Sequence, residues 1–295
     1  MEDARSIANP AAPTRYAGRM VDIPMPDATP ATNGIRVGIG GWNFAPWRGL
    51  FYPAGLVQRR ELEYASRHLS AIEINGTYYG TQKPETYAKW RDEVPEGFVF
   101  SAKAPRRIMQ ARDLGKTATQ VEDFIAGIAV LGDRLGPLLW QFDAGQRPAR
   151  DALEAFVATL PRTADGRHLR HVIDVRDPSL VDAEHIAMLR RHDVAGVCTD
   201  SGEFPRYADV TSDFVYARPM RSRADIATGY PAAELAAWAA RARAWAAGGE
   251  PDDLARLAGP APASDRRDVF VFFIAAAKER NPAAAMKLID LLAAQ

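Results

Sequence analysis

The fold can be predicted from residues 71–103, AIEINGTYYGTQKPETYAKWRDEVPEGFVFSAK. Residues 71–75 and 98–103 are short apolar segments with β-branched and aromatic side chains, which predict strands. Residues 84–94 begin with a proline and carry apolar side chains at helical spacing, which predicts a helix. A strand, a helix and a second strand in succession are typical of a parallel sheet covered by helices.

The same alternation continues along the chain. The predicted strands are 35–40, 71–75, 98–103, 138–142, 171–176, 196–200, 214–218 and 269–274, and the predicted helices are 84–94, 118–131, 148–160, 183–192, 231–247 and 282–292. Eight strand–helix repeats predict a single α/β domain, a TIM-type (β/α)₈ barrel. The alternative is an open doubly wound sheet, which normally has a third glycine in the turn after its first strand; residues 40–43, GGWN, lack it.

Two other segments do not follow this alternation. Residues 1–33 contain five prolines and no helical or strand period, so we predict a flexible tail before a barrel domain at 34–295. Residues 246–267 are rich in Gly, Pro and Asp, and predict a surface loop with a short helix at 252–257.

Composition excludes several classes of protein. Lys plus Arg and Asp plus Glu both total 37, so the chain lacks the overall positive charge that usually supports nucleic-acid binding, and such a partner is possible but not favoured. A single cysteine, Cys198, excludes a disulfide framework and multi-cysteine metal sites. None of the five histidines ends a predicted strand, so we predict no metal and no cofactor.

The sequence also indicates a compartment. No apolar run approaches 18 residues, so no membrane association is predicted. The chain begins Met-Glu-Asp without the apolar segment of a signal peptide, so we expect a cytoplasmic protein. Nothing in the sequence determines an oligomeric state.

Polar side chains occupy the C-terminal halves of the predicted strands, where barrel enzymes hold their active sites. Strand alternation predicts that these side chains face the barrel interior: Glu73, Asn75, Lys103, Gln141, Asp174, Arg176, Asp200 and Arg218. Burying such groups is costly, and a core built for stability would use aliphatic side chains instead. The pattern favours a functional pocket over the alternative, a satisfied polar network that only closes the barrel.

Each candidate residue has a predicted role. The catalytic candidates are Glu73, Asp174, Asp200 and Lys103, and the substrate-binding candidates are Trp42, Asn75, Tyr78, Gln141, Arg176 and Arg218. Carboxylates can move protons, while the lysine and arginines can hold an anion. A Schiff-base role for Lys103 requires a lowered pKa, against which the surrounding carboxylates argue.

Several motifs resemble one known family. Residues 38–53 (GIGGWNFAPWRGLFYP), 73–79 (EINGTYY) and 135–141 (LGPLLWQ), with the ends of the later strands, are similar to the "domain of unknown function 72" (YecE-like) family. The resemblance covers about residues 35–295. It implies a TIM-type barrel and no settled activity, and its motifs contain most of the candidate site residues. Where the family tends to carry Arg-x-His-Gly, residues 218–221 are Arg-Pro-Met-Arg, which is typical of a diverged member.

Three functions fit this pattern. The first is a metal-independent enzyme, a hydrolase or lyase, that acts on a small anionic or phosphorylated substrate by carboxylate acid–base chemistry. The second is a nucleic-acid or nucleotide-binding barrel, in which Trp42, Trp47, Tyr78 and Tyr79 would stack on bases. The third is a degenerate barrel that serves as a scaffold.

Overall fold

The computed structural model describes residues 25–30 and 33–294. Eight parallel strands form a closed barrel. They are β1 Ile35–Gly40, β2 Ala71–Ile74, β3 Val99–Lys103, β4 Leu135–Phe142, β7 His171–Val175, β8 Ala195–Thr199, β9 Phe214–Arg218 and β10 Asp268–Phe273. Each strand pairs with the next one in this list, and β10 pairs with β1. The strands β5 Thr163–Ala164 and β6 Arg167–His168 form a separate antiparallel hairpin.

Helices cover the outside of the barrel. They are α1 Glu61–His68, α2 Gly76–Tyr79, α3 Pro84–Glu93, α4 Arg106–Met109, α5 Ala118–Ile128, α6 Arg150–Thr159, α7 Ala183–Arg191, α8 Ala232–Ala246 and α9 Asn281–Ala293. The predicted TIM-type barrel is therefore confirmed. None of the helices in the described residues is long and apolar enough to cross a membrane.

Two connections differ from the sequence prediction. Helix α1 follows the first strand and was not predicted. The predicted helix at 252–257 is wrong, because that segment forms turns. The carboxylate of Asp209 accepts the backbone N–H groups of Leu257 and Ala258 at 2.7 and 2.9 Å, and so binds this segment to the connection before β9.

Strand alternation creates two apolar layers. Side chains such as Val37, Ile72 and Trp140 lie in the large outer layer between barrel and helices. A smaller cluster fills the barrel interior with Leu139, Val172, Val197, Phe214, Tyr216, Phe270 and Phe272.

Glycine at two positions of β1 permits the close approach of β2 and of the residue that follows it. A Cβ atom on Gly38 would lie 2.0 Å from the carbonyl oxygen of Ala71, and one on Gly40 would lie 2.8 Å from Nδ2 of Asn75. Real Cβ atoms do not approach other atoms this closely, so no larger residue fits either position without a shift of the backbone or of its neighbour. The packing of β1 against β2 thus requires a residue without a side chain at these positions.

The predicted flexible tail, residues 1–33, falls largely outside the described residues, and the domain boundary at residue 34 stays a prediction. Residues 1–24 and 31–32 are not described. Within 25–30, the Thr29 hydroxyl donates a hydrogen bond to the carbonyl of Leu69 at 2.7 Å. At least this residue of the segment contacts the barrel.

Candidate functional site

A buried ionic network lies inside the barrel near the C-terminal ends of the strands. Arg218, from β9, donates to Oε1 of Glu73 at 2.9 Å and to Oδ2 of Asp174 at 2.8 Å. It also donates to Oε1 of Gln141 at 3.2 Å. Strands β2, β4 and β7 supply these three acceptors, so the guanidinium group connects four strands across the interior.

Two hydroxyl groups extend the network toward the middle of the barrel. The Tyr216 hydroxyl donates to Oε2 of Glu73 at 2.7 Å. Because that proton is used, the Ser101 hydroxyl is the donor in its 2.7 Å contact with the Tyr216 oxygen. Both carboxylate oxygens of Glu73 are therefore occupied, and the side chain is completely buried. Glu73 orients Arg218 and Tyr216 and has no exposed surface with which to meet a substrate.

The charges in this network stabilise each other. Burial alone would lower the pKa of Arg218, but the charges of Glu73 and Asp174 outweigh that effect and raise the pKa, so the guanidinium stays charged. Two buried carboxylates around one cation would leave a net negative charge. Arg176 compensates for it by donating from Nε to Oδ2 of Asp174 at 3.3 Å.

Arg176 lies nearer the solvent than Arg218. Its side chain is 16% exposed, against 3% for Arg218, and its guanidinium group covers the ring of Phe204 at 4.2 Å. Phe204 belongs to the 200–213 connection, and nothing in the sequence predicted its contact with the site. Arg176 therefore combines a positive charge with a fixed aromatic support and access to solvent.

A second polar group surrounds Lys103 at the end of β3. Nζ of Lys103 lies 4.1 Å from the centre of the Tyr78 ring. The Tyr78 hydroxyl donates to Oδ2 of Asp143 at 3.0 Å, and the Gln141 amide donates to Oδ1 of the same carboxylate. Asp143 was not predicted, because it follows β4 and strand alternation does not extend into the loop.

The ionisation of this second group follows from burial. Burial, followed by the charge of Arg218, lowers the pKa of Lys103 to about 8. Burial and the hydrogen bond to Asp143 raise the pKa of Tyr78 above its ordinary value. The expectation that carboxylates keep the pKa of Lys103 high is therefore wrong, because burial and the charge of Arg218 outweigh the opposing charges of Glu73 and Asp143.

The structure brings together most of the predicted site residues. Glu73, Lys103, Gln141, Asp174, Arg176 and Arg218 share the interior end of the barrel, and Tyr78 lies against Lys103. Asn75 lies beside Gly40 at the same end, where its amide donates to the backbone carbonyl of Glu73 at 3.4 Å. The arrangement also matches the alternative interpretation, in which a satisfied polar network only closes the barrel. Lys103 and Arg176 are the two residues that do not fit this interpretation.

Asp200 does not belong to this group, and its predicted inward position is wrong. In β8 the inward side chain is Val197, whereas Cys198 packs in the outer layer, and Asp200 lies beyond the strand. Asp200 accepts hydrogen bonds from the backbone N–H of Met220 at 2.6 Å and from the Tyr230 hydroxyl at 3.0 Å. Burial raises its pKa.

A cavity of about 460 Å³ lies beside Asp200 on the outer side of β8. It extends to the middle of helix α8, where Trp238 and Arg241 line it. Arg241 is paired with Asp253 at 2.7 Å. This cavity is separate from the ionic network at the barrel interior.

Trp42 is also misplaced by the sequence prediction. Its ring packs edge to face on Trp90 with centres 4.9 Å apart and lies near Phe100, which belongs to the outer layer. Gly41, which has a φ of 74°, ends the strand alternation, so the next side chain is not constrained to face the interior. Trp42 therefore stabilises the packing of α3 on the barrel.

The aromatic side chains predicted to stack on bases are mostly engaged elsewhere. Trp47 is completely buried and donates to the carbonyl of Lys278 at 2.8 Å, and Tyr78 lies beneath Lys103. Of the four, Tyr79 alone is widely exposed, at 79%. The arrangement does not form the series of stacking faces on which single-strand binding depends.

Across residues 25–30 and 33–294, no three His, Cys, Asp or Glu side chains come close enough to bind one metal ion. The carboxylates of the barrel interior are instead arranged around arginine. Eight parallel strands, outer helices and a buried ionic network at the C-terminal end define the protein as a (β/α)₈ barrel with a polar mouth.

The chain belongs to a family described as "Protein of unknown function DUF72", whose family model matches residues 36–295. It is 30% identical over 139 residues to UPF0759 protein YecE of Escherichia coli K12, a match that covers 46% of this chain and 48% of that protein. UPF0759 protein YunF of Bacillus subtilis is 30% identical over 70 residues, 24% of each chain. The matched part of the chain thus spans about half the length of YecE, or less in YunF.

Two solved structures share the fold. The crystal structure of a DUF72 family protein from Thermotoga maritima has a TM-score of 0.66 and 21% identity, covering 87% of this chain and 97% of that one. A DUF72 family protein from Enterococcus faecalis has a TM-score of 0.64 and 18% identity, covering 88% and 96%. At these identities the likeness supports the barrel fold and nothing further.

Proposed function

We propose that the protein is an enzyme that binds a small carboxylate- or phosphate-bearing substrate at the mouth of the barrel and converts it by acid–base chemistry. The observation that carries this proposal is the pair of cations above the buried network, Lys103 and Arg176. Lys103 has no carboxylate within ion-pair distance among the described residues, and Arg176 has one contact of 3.3 Å. Both side chains are only partly buried.

The proposed anion site uses the two cations of the mouth that have the fewest contacts with carboxylates. A polar network with only a structural role would pair each cation with a carboxylate, as this protein does at Arg218. The buried Nε of Arg218 also has no hydrogen-bond acceptor among the described residues. Because this nitrogen is buried, the ligand of the proposed site would contact Lys103 and Arg176 and not Nε of Arg218.

Proton transfer falls to groups that can reach the ligand. The contacts of Asp174 with Arg176 and Arg218 converge on Oδ2, which leaves Oδ1 as a base. Glu73 is fully engaged, so its role is to position Arg218. Asp200 lies outside the barrel interior and has no part in this step. The charge stabilisation is assigned to Lys103, Arg176 and Arg218, whose side chains lie at the mouth.

Replacement of Arg176 by Met tests the proposal. We expect inorganic phosphate and a panel of carboxylated and phosphorylated metabolites to raise the melting temperature of the native chain, because a ligand that binds only the folded state stabilises it. In Arg176→Met the affinity should fall at least about tenfold, since a guanidinium fork that can hold two oxygens is lost. Isothermal titration of the ligand that gives the largest shift measures this affinity.

The matched control is Arg147→Met. Arg147 follows β4 and pairs with Asp177 at 2.6 Å, but its side chain is 68% exposed and contacts no residue of the network. Its removal should leave the affinity unchanged. Equal affinities for the native chain and Arg176→Met would remove Arg176 from the site, and the absence of any stabilising anion would contradict the proposed function.

A further inference from the structure

Lys103 differs in its surroundings from the other lysines. The chain has six lysines, at 83, 89, 103, 116, 278 and 287, and Lys103 alone among them lies on a barrel strand, at its C-terminal end. Its Nζ covers the Tyr78 ring at 4.1 Å, and the charges of Arg176 and Arg218 act on it. An amine in this position faces the same space as the proposed anion site.

No carboxylate among the described residues forms an ion pair with this amine. Glu73 gives one oxygen to Arg218 and the other to Tyr216. Asp143 gives its oxygens to Tyr78 and Gln141. Both acids near Lys103 are therefore engaged with other donors.

Burial and two guanidinium groups also favour the neutral amine. They lower the pKa of Lys103 to about 8, so that roughly a tenth of the molecules carry the free amine at pH 7. An ordinary lysine carries far less, and desolvation beside other cations is the recognised way to activate a lysine as a nucleophile.

We propose that Lys103 forms an imine with the carbonyl carbon of a small 2-oxo acid whose carboxylate is held by Arg176. This inference rests on the proposed function, because it uses the same anion site and names the substrate class. A 2-oxo acid fits because it is a small molecule in which a carbonyl group for Lys103 lies directly beside a carboxylate for Arg176, and both side chains lie at the same end of the barrel interior.

The reaction uses groups that surround the amine. The lone pair of Nζ bonds to the carbonyl carbon, the π pair moves to the oxygen, and a proton transferred from nitrogen gives a carbinolamine. The hydroxyl then accepts a proton and leaves as water while the C=N bond forms. We assign these proton transfers to the hydroxyl of Tyr78, whose ring lies against the amine and which is hydrogen-bonded to Asp143.

Reductive trapping tests the imine. The native full-length chain is incubated with pyruvate and sodium cyanoborohydride, and the product is measured by intact mass and by peptide mapping. We expect one reduced pyruvate adduct per chain, located on Lys103. Acetone, which has a carbonyl but no carboxylate, should label Lys103 at least about tenfold more slowly, since the anion site gives it no affinity.

Lys278 provides a matched control within the same chain. It is also half-buried, with Nζ 4.5 Å from the centre of the Phe44 ring, and burial lowers its pKa, but no arginine acts on it. Lys278→Arg should leave the labelling unchanged, whereas Lys103→Arg should abolish it. Peptide mapping of the native chain gives the site of labelling even if a variant fails to fold.

The outcomes separate this inference from the proposed function. If labelling is spread over the exposed lysines or absent, the imine is wrong. If pyruvate nonetheless raises the melting temperature of the native chain, and Arg176→Met removes that shift, the anion site stands without the imine. If neither labelling nor stabilisation occurs, both proposals are overturned.

Discussion

Arg218→Met is expected to lower the free energy of unfolding by about 3–5 kcal/mol, because it leaves two buried carboxylates without their cation. Glu73 and Asp174 are 0% and 8% exposed, so water cannot replace the guanidinium group. Methionine fills much of the same volume, which separates the loss of charge from the loss of packing. Urea unfolding of the native chain and the variant measures the difference.

Two further variants test the explanation of that loss. Arg176→Met should cost only about 1 kcal/mol, because Asp174 keeps its bond to Arg218 and the lost contact is partly solvated. Glu73→Gln combined with Arg218→Met should restore part of the stability, since it removes one unpaired charge. A loss below about 1 kcal/mol for Arg218→Met would mean that the carboxylates are hydrated, and would contradict a buried network.

Acidification is expected to destabilise the protein through His171, by about 3 kcal/mol between pH 7 and pH 4. The ring is buried; Nδ1 accepts from Nε1 of Trp140 at 3.0 Å, and Nε2 then donates to the carbonyl of Pro161 at 2.7 Å. This arrangement requires the neutral form, and burial lowers the pKa of His171 to about 4.

The sign of this pH effect follows from a comparison of the protonation of His171 in the unfolded and the folded chain. The unfolded chain binds a proton at His171 as the pH falls below about 6.5, while the folded chain resists until about pH 4. The stability is therefore fully present above pH 6.5 and is lost as the pH falls toward 4. A difference of 2.5 pKa units corresponds to about 3 kcal/mol.

Variants at two histidines test this assignment. Urea unfolding at several pH values should show a shallower loss in His171→Gln, whose amide does not titrate in this range. His168→Gln is the control: His168 is exposed on the β5–β6 hairpin, and its charge is the smallest of the effects on the pKa of His171, so the pH dependence should change far less than in His171→Gln. An unchanged slope in His171→Gln would assign the acid sensitivity to other groups, among them the buried His185.

Residues 218–221 depart from the Arg-x-His-Gly motif that the family resemblance implies, and this departure affects which groups at the mouth of the barrel can transfer a proton. The motif that the chain resembles has a histidine where this protein has Met220. Met220 is buried in the interior cluster, and its backbone N–H donates to Asp200. An apolar side chain thus stands where a titratable one is typical, and the proposed proton transfer depends on Asp174, Lys103 and Tyr78 instead.

Sequence alone predicted the barrel and the inward side chains of its strands. Alternation along a strand is a local property of the backbone, so Glu73, Lys103 and Arg218 could be assigned to one interior without knowledge of their partners. The ends of parallel strands meet at one end of a barrel, which predicted that these side chains would lie near one another.

Tertiary structure decided the positions beyond the strand ends and the ionisation of the site. Trp42, Asp143 and Asp200 follow strands, where loop dihedral angles replace alternation, so the first and third were misplaced and the second was missed. The lowered pKa of Lys103 results from burial and from the charge of Arg218. A pKa depends on burial and on neighbouring charges in three dimensions, and strand alternation predicts neither of them.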